Sequence, residues 1–289
     1  MAIEERDLPS GYLTTGHEWN GIKELNTPVP RPVYFFLWLT FAIAVVAWLL
    51  MPAWPLGRTY TKGFLGLDQR TTLVATLKEA AMDRATWTSA IEKSSYAEIQ
   101  ADPVLMLGVR QTGHTLFGDN CAACHGADGA GKTGFPNLRA GAWLWGGDPE
   151  TIAETLRVGI NSAHPKTRAS QMPAFGRDGV LKEAEIDTVA AYVLSLSVAD
   201  QDAAKVAAGK KLFAENCVAC HGKDGKGNAE VGAPNLAGQI WLYGGAGKVV
   251  IASIANGRQG HMPTWEQRLS TLQRKILALY VLDLGSKAQ

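Results

Sequence analysis

The chain has 289 residues, 46% of them hydrophobic and 19% charged, which leaves room for about two domains and additional segments. Twenty-eight Lys and Arg against 27 Asp and Glu give a formal net charge of +1, so the broad basic field that nucleic-acid binding needs is missing. Nothing matches a Walker A loop, a Rossmann glycine fingerprint or a G-x-S-x-G elbow, so a cofactor has to carry the chemistry.

Residues 1–31 read as a polar arm with three prolines and neither helical nor strand periodicity. The stretch VYFFLWLTFAIAVVAWLLMP, residues 33–52, is then uncharged, and Arg31 and Arg58 bound the uncharged window. Twenty residues at about 1.5 Å each cover about 30 Å, the thickness of a bilayer's hydrocarbon core. Tyr34, Phe35, Phe36 and Trp38 stand at one end and Trp48, Trp54 and Tyr60 at the other, as interfacial aromatic belts do. Pro32 suits a first helical turn, and Pro52 with Pro55 stops the helix. The segment is too long and starts too late for a cleaved leader, so residues 32–57 are predicted to be a retained single-span anchor. Residues 58–102 follow as a connecting helical segment. Leu73, Leu77, Ala80 and Ile91 there recur at loose helical spacing, suited to packing on the next domain or on a partner.

Beyond Pro103 comes Cys121-Ala122-Ala123-Cys124-His125, and later Cys217-Val218-Ala219-Cys220-His221. C-x-x-C-H is the signature of covalent c-type haem attachment. On a helical turn, positions i, i+3 and i+4 share one face, so two thiols reach the porphyrin vinyls while the adjacent imidazole reaches the iron. A redox dithiol or a zinc site built from paired C-x-x-C units is the plainer reading. Against it, a histidine follows both pairs at once, and these motifs use all four cysteines of the chain.

The flanks repeat as well. Gly113, Leu116, Phe117 and Asn120 match Gly209, Leu212, Phe213 and Asn216 at an offset of 96 residues. Pro136-Asn137-Leu138 and Trp143-Leu144-Trp145 match Pro234-Asn235-Leu236 and Trp241-Leu242-Tyr243 at 98, and Tyr192-Val193-Leu194 recurs as Tyr280-Val281-Leu282. A mostly helical domain has been duplicated, with copies at 103–198 and 199–289, each expected to clamp its haem between its own first and last helices. Two methionines lie beyond the first motif, Met172 and Met262, one per copy and each before a proline. A thioether on a stiff, non-helical segment suits the sixth position of the iron, and Met/His ligation raises its potential. The plainer role is core filling. His164, in a loop the second copy mostly lacks, and His261, beside Met262, are the competing ligands, while His114 reads as surface.

Taken with Gly16-His17-Glu18-Trp19-Asn20-Gly21-Ile22-Lys23-Glu24-Leu25-Asn26-Thr27-Pro28 before the span, Met51-Pro52-Ala53-Trp54-Pro55-Leu56 after it and Gly257-Arg258-Gln259-Gly260 before Met262, the chain resembles the dihaem, membrane-anchored subunit of bacterial cbb3-type cytochrome c oxidases. The resemblance implies a mainly α fold: one N-terminal transmembrane helix, then two tandem class I cytochrome c domains with two covalently bound haems c. It implies attachment through Cys121, Cys124, Cys217 and Cys220, with ligands His125 and Met172 for one haem and His221 and Met262 for the other. The Pro136 and Pro234 carbonyls would orient the histidines, and Trp143, Trp145, Trp241, Tyr243, Arg157 and Arg258 are candidates for haem edges or propionates. It implies electrons entering from a donor cytochrome c and leaving through a monohaem cytochrome c subunit to a haem–copper catalytic subunit, with no catalytic centre on this chain and no nucleic-acid partner. The protein would sit in a bacterial inner membrane with its haem domains in the periplasm. A free-standing anchored electron carrier, a subunit of another respiratory complex, and a dihaem peroxidase are the alternatives. By sequence halves, residues 199–289 carry net +4 and 105–198 net −1, which points to a basic face around Lys210, Lys211, Lys223 and Lys226 for an acidic partner.

Overall fold

In the polar arm, Asn20 and Gly21 both take positive φ (51° and 86°), the backbone of a two-residue hairpin turn. Strands β1 (Thr14–Trp19) and β2 (Ile22–Leu25) pair antiparallel across it, Trp19 opposite Ile22. The expectation of an arm without strands is corrected here: Asn-Gly was the signal, and alternation was missing because almost no side chain of the hairpin is covered. The computed structural model describes residues 5–198 and 201–286, so the first four residues of the arm lie outside it.

Helix α1 (Arg31–Leu50) begins with Pro32 in its first turn and buries no side chain. Among the described residues it is the one helix long and apolar enough to cross a membrane. An apolar helix with no residue buried by its own chain is not a core helix, which makes α1 a candidate membrane anchor. Beyond it the chain turns back at Gly63 (φ 65°), and the Phe64 and Leu65 amides donate to the Leu49 and Leu50 carbonyls at 2.9 and 3.1 Å. Those carbonyls are among the acceptors a helix end leaves open.

The chain divides into two units, residues 1–83 and 84–289, and α2 (Gln69–Lys93) runs across the division. Within the second unit Ile91 is fully buried, and α3 (Tyr96–Ala101) starts on a capping box between Ser95 and Glu98. The first repeat supplies α4 (Pro103–Asn120), α5 (Ala122–His125), α6 (Pro149–Val158) and α7 (Glu183–Ser195). The second supplies α8 (Ala203–Asn216), α9 (Val218–His221), α10 (Gly247–Asn256) and α11 (Thr271–Ser286).

The repeats do not close on themselves. Helix α11 packs on α4 and α6, whereas α7 packs on α8 and α10. One core joins Phe117, Ile152 and Leu156 to Ile276, Leu277 and Leu279; the other joins Phe213, Val250 and Ile254 to Ile186, Val189 and Val193. At the helix crossings, Phe117 meets Tyr280 with ring centroids 5.7 Å apart, and Phe213 meets Tyr192 at 5.1 Å. Each compact module is therefore the front of one repeat and the back of the other. This corrects the expectation that 103–198 and 199–289 fold as separate modules, and the boundary between them falls at residues 199–200, outside the described residues. One physical reason is the short connection from Ser195 to Ala203, which makes α7 and α8 immediate neighbours. The chains change modules at two antiparallel backbone pairs. Ile160 and Met262 exchange hydrogen bonds of 2.9 Å each, and Met172 and Arg258 exchange bonds of 2.8 and 3.1 Å.

Candidate functional site

Each C-x-x-C-H run forms a single helical turn just past its entry helix, as the spacing predicts. The Cys121 amide donates to the Phe117 carbonyl (2.8 Å) and the His125 amide to the Cys121 carbonyl (3.0 Å). The second motif repeats these bonds with Cys217, Phe213 and His221 at 2.9 Å each. The turns end at Gly126 (φ 80°) and Gly222 (φ 74°), conformations in which a side chain is strained.

No disulfide takes up any of the four cysteines, which leaves all of them to haem attachment, and burial raises the thiol pKa of Cys121 and Cys217. His125 Nδ1 lies 3.1 Å from the Pro136 carbonyl, and His221 Nδ1 lies 3.1 Å from that of Pro234. A carbonyl only accepts, so Nδ1 carries the proton and Nε2 keeps its lone pair for a metal. Burial lowers both imidazole pKa values, partly opposed by these bonds, and so favours the neutral ligand form. No group of three or more His, Cys, Asp or Glu side chains is placed to hold a metal ion among the described residues, so the donor set suits haem better than zinc.

The methionines are sorted by the chain exchange. Met262 packs against the core that also receives Cys121, and Met172 against the core that receives Cys217. Each methionine thus shares a core with the other repeat's motif, whereas the resemblance implied His125 with Met172 and His221 with Met262. His164 is taken up elsewhere, with Nε2 2.9 Å from Glu266 and Nδ1 accepting the Lys166 amide. Arg157 binds Glu154 and Glu266 at 2.7 Å, committing it to that network instead of a haem edge. His261 and His114 are exposed.

Trp145 Nε1 is buried with no hydrogen-bond partner, and the Arg168 guanidinium lies 5.1 Å over its ring. An orphaned indole N–H beside a guanidinium is a donor set for a carboxylate such as a haem propionate. In the other module the Arg258 guanidinium lies 4.3 Å from the Tyr243 ring and Nε donates to Ser253 Oγ at 2.9 Å. Trp143 and Trp241 pack against the two cores. Arg168 was missed from the sequence, although a signal was there: Arg168 and Arg258 each stand four residues before their methionine.

Residues 11–58 match the model of the N-terminal domain of cytochrome oxidase-cbb3, FixP, residues 111–197 that of cytochrome c, and residues 204–281 that of cytochrome c oxidase, cbb3-type, subunit III. The cbb3-type cytochrome c oxidase subunit FixP of Bradyrhizobium sp. (strain ORS 278) is 50% identical over 97% of both chains. The CcoP subunits of Azospirillum sp. (strain B510) and Cereibacter sphaeroides are 45% and 41% identical, over 99% and 97% of both chains. The chain belongs to the FixP/CcoP family of cbb3-type cytochrome c oxidase subunits. It is accordingly a dihaem electron-transfer cytochrome with two covalently bound haems c, as the paired motifs require.

Proposed function

We propose that the chain relays single electrons through two haems, each held between the imidazole of one repeat and the thioether of the other: His125 with Met262, and His221 with Met172. The observation that carries this pairing is the exchange of α7 and α11, with Met262 packed on the core that Cys121 joins and Met172 on the core that Cys217 joins. Bound haem supplies a one-electron iron couple, poised high by His/Met ligation. The chain's own residues fix and shield it. Cys121 with Cys124, and Cys217 with Cys220, attach it. The Pro136 and Pro234 carbonyls hold each imidazole in one tautomer, and paired backbone amides stiffen each methionine strand. Phe117, Tyr280, Tyr192 and Phe213 keep water from the helix crossings.

In this reading electrons arrive from a donor cytochrome c and pass to a monohaem subunit and a haem–copper catalytic subunit of the oxidase. The relatives' names as oxidase subunits support it. Helix α1 crosses the bacterial inner membrane, and the haem-bearing remainder faces the periplasm, since c-type haem is attached on that side. Two methionine strands closed by backbone pairing favour an electron carrier over a peroxidase, which needs an open haem face.

The crossing redistributes charge between the modules. Arg168 and His164 pack with the first motif's module, so residues 103–168 with 261–289 hold 10 Lys/Arg and 7 Asp/Glu while residues 169–260 hold 9 and 9, and the module of the second motif carries no net excess of basic charge. A local patch survives, because Lys210, Lys211, Lys223 and Lys226 are all exposed around the second motif. That patch fits an acidic donor steered at low salt.

The test uses the purified full-length chain. In a C217A/C220A chain that keeps only the haem at His125, Met262→Ala is expected to abolish the far-red thioether-to-ferric-iron band, and Met172→Ala to leave it. The opposite result would restore ligation within each repeat. Loss of the band in neither variant would remove both methionines from the iron.

A further inference from the structure

Asn161 stands where the two modules exchange chains. Its φ of 49° lies in the left-handed region, which asparagine tolerates better than most side chains. Its backbone amide donates to the Arg168 carbonyl at 2.8 Å, turning the extra loop back on itself. The side chain then reaches in two directions. Nδ2 donates to the Ser170 carbonyl at 2.8 Å and to the Gly260 carbonyl at 2.7 Å, and Oδ1 accepts the Ser170 amide at 3.1 Å. Both amide hydrogens are thus used, one on each strand. Ser170 lies two residues before Met172, and Gly260 lies two residues before Met262.

We propose that Asn161 is a positioning residue for both haems at once, a single carboxamide that ties the Met172 strand to the Met262 strand. This rests on the reading that the two thioethers are axial ligands. The backbone pairs Ile160–Met262 and Met172–Arg258 set the register of the two strands, and the Asn161 carboxamide adds a side-chain tie between them. The Asn161 carboxamide is bonded to both, so a shift of one strand is transmitted to the other. A residue acting on one loop alone would need the Ser170 bonds only. The bond to Gly260, 99 residues away in sequence, is the side-chain bond that carries the tie to the Met262 strand.

Asn161→Gly keeps the positive φ and deletes the carboxamide. Asn161→Asp keeps the tolerance of that φ and the acceptor for the Ser170 amide, but turns a carboxylate oxygen on two carbonyls. In the full-length dihaem chain, both variants are expected to keep two haems and wild-type helix content. Both are expected to weaken the thioether-to-iron band and to lower both midpoint potentials together, the aspartate more than the glycine. Wild-type potentials in both variants, or a change at one haem only, would overturn the proposal. Loss of haem from both variants would also overturn it, because a positioning residue leaves attachment intact. Met172→Ala and Met262→Ala serve as controls: if neither alters the band, the axial reading itself has failed. If both do while the Asn161 variants do not, the tie alone has failed.

Discussion

Replacing Leu277 by alanine separates a crossed pair of modules from two self-contained ones. Leu277 lies on α11, in the second repeat, yet it is fully buried in the core built on Phe117, Met106 and Val109 of the first. Truncating a buried leucine to alanine removes about 3–5 kcal/mol, counting the transfer term and the cavity left behind. At 1.4 kcal/mol per tenfold, the lower end multiplies the opening equilibrium of that core by roughly a hundred. Amide exchange resolved by peptide mass spectrometry reads this directly. Exchange in 103–120 is expected to accelerate by about two orders of magnitude, while 203–216 keeps most of its protection. Ile186→Ala on α7 is the mirror experiment, since Ile186 is buried in the core built on Phe213, and there 203–216 should loosen. If Leu277→Ala loosens 203–216 and leaves 103–120 protected, each repeat closes on itself and the crossed arrangement is wrong.

Other consequences follow from single residues. A Cβ on Gly113 would sit 2.6 Å from Tyr280 Cβ, and one on Gly209 2.3 Å from the Thr188 carbonyl, so Gly209→Ala, facing backbone, should cost more in thermal stability than Gly113→Ala. Arg110 holds the buried Asp283 carboxylate with hydrogen bonds of 2.8–3.1 Å, so Arg110→Ala should destabilise by about 1–3 kcal/mol and Asp283→Asn by less, read by haem-detected denaturation. Arg157, then His164, hold the Glu266 carboxyl below its ordinary 4.5, so its stabilising contribution is complete above that value and fades as pH falls further. Glu266→Gln should therefore flatten the acid limb of a stability profile, and an unchanged limb would rule this latch out.

Much of the site was legible because its chemistry is local. Two thiols and an imidazole share one helical turn, so C-x-x-C-H at 121–125 and 217–221 declared both attachment points. The apolar run at 33–52 declared α1, and the prolines after Met172 and Met262 marked stiff, non-helical segments. Tertiary choices were harder to see. The Asn161 tie could not be anticipated, since its partner Gly260 is 99 residues away. The hairpin at Thr14–Leu25 hid because an uncovered ribbon has no reason to alternate.

The crossing was hidden by the duplication itself. The contact residues of α4 and α8 are Gly113 with Phe117 and Gly209 with Phe213, and those of α11 and α7 are Tyr280 with Leu284 and Tyr192 with Leu196. Each front half is therefore complementary to both back halves, and matched residues cannot say which one it takes. The information lies in the positions that fail to match. Val206 stands where the first repeat has Arg110, and Ser195 stands where the second has Asp283. Closed on itself, the first repeat would set Arg110 against Ser195, and the second would bury the Asp283 carboxylate against Val206. Crossing sets Arg110 on Asp283 and leaves Val206 to pack in the Phe213 core. Leaving the Asp283 carboxylate without its cation costs about 1–3 kcal/mol, a substantial part of the 5–15 kcal/mol that typically holds a domain. One mismatched pair between otherwise interchangeable halves thus favours, with the short α7–α8 connection, the back half that each front half takes.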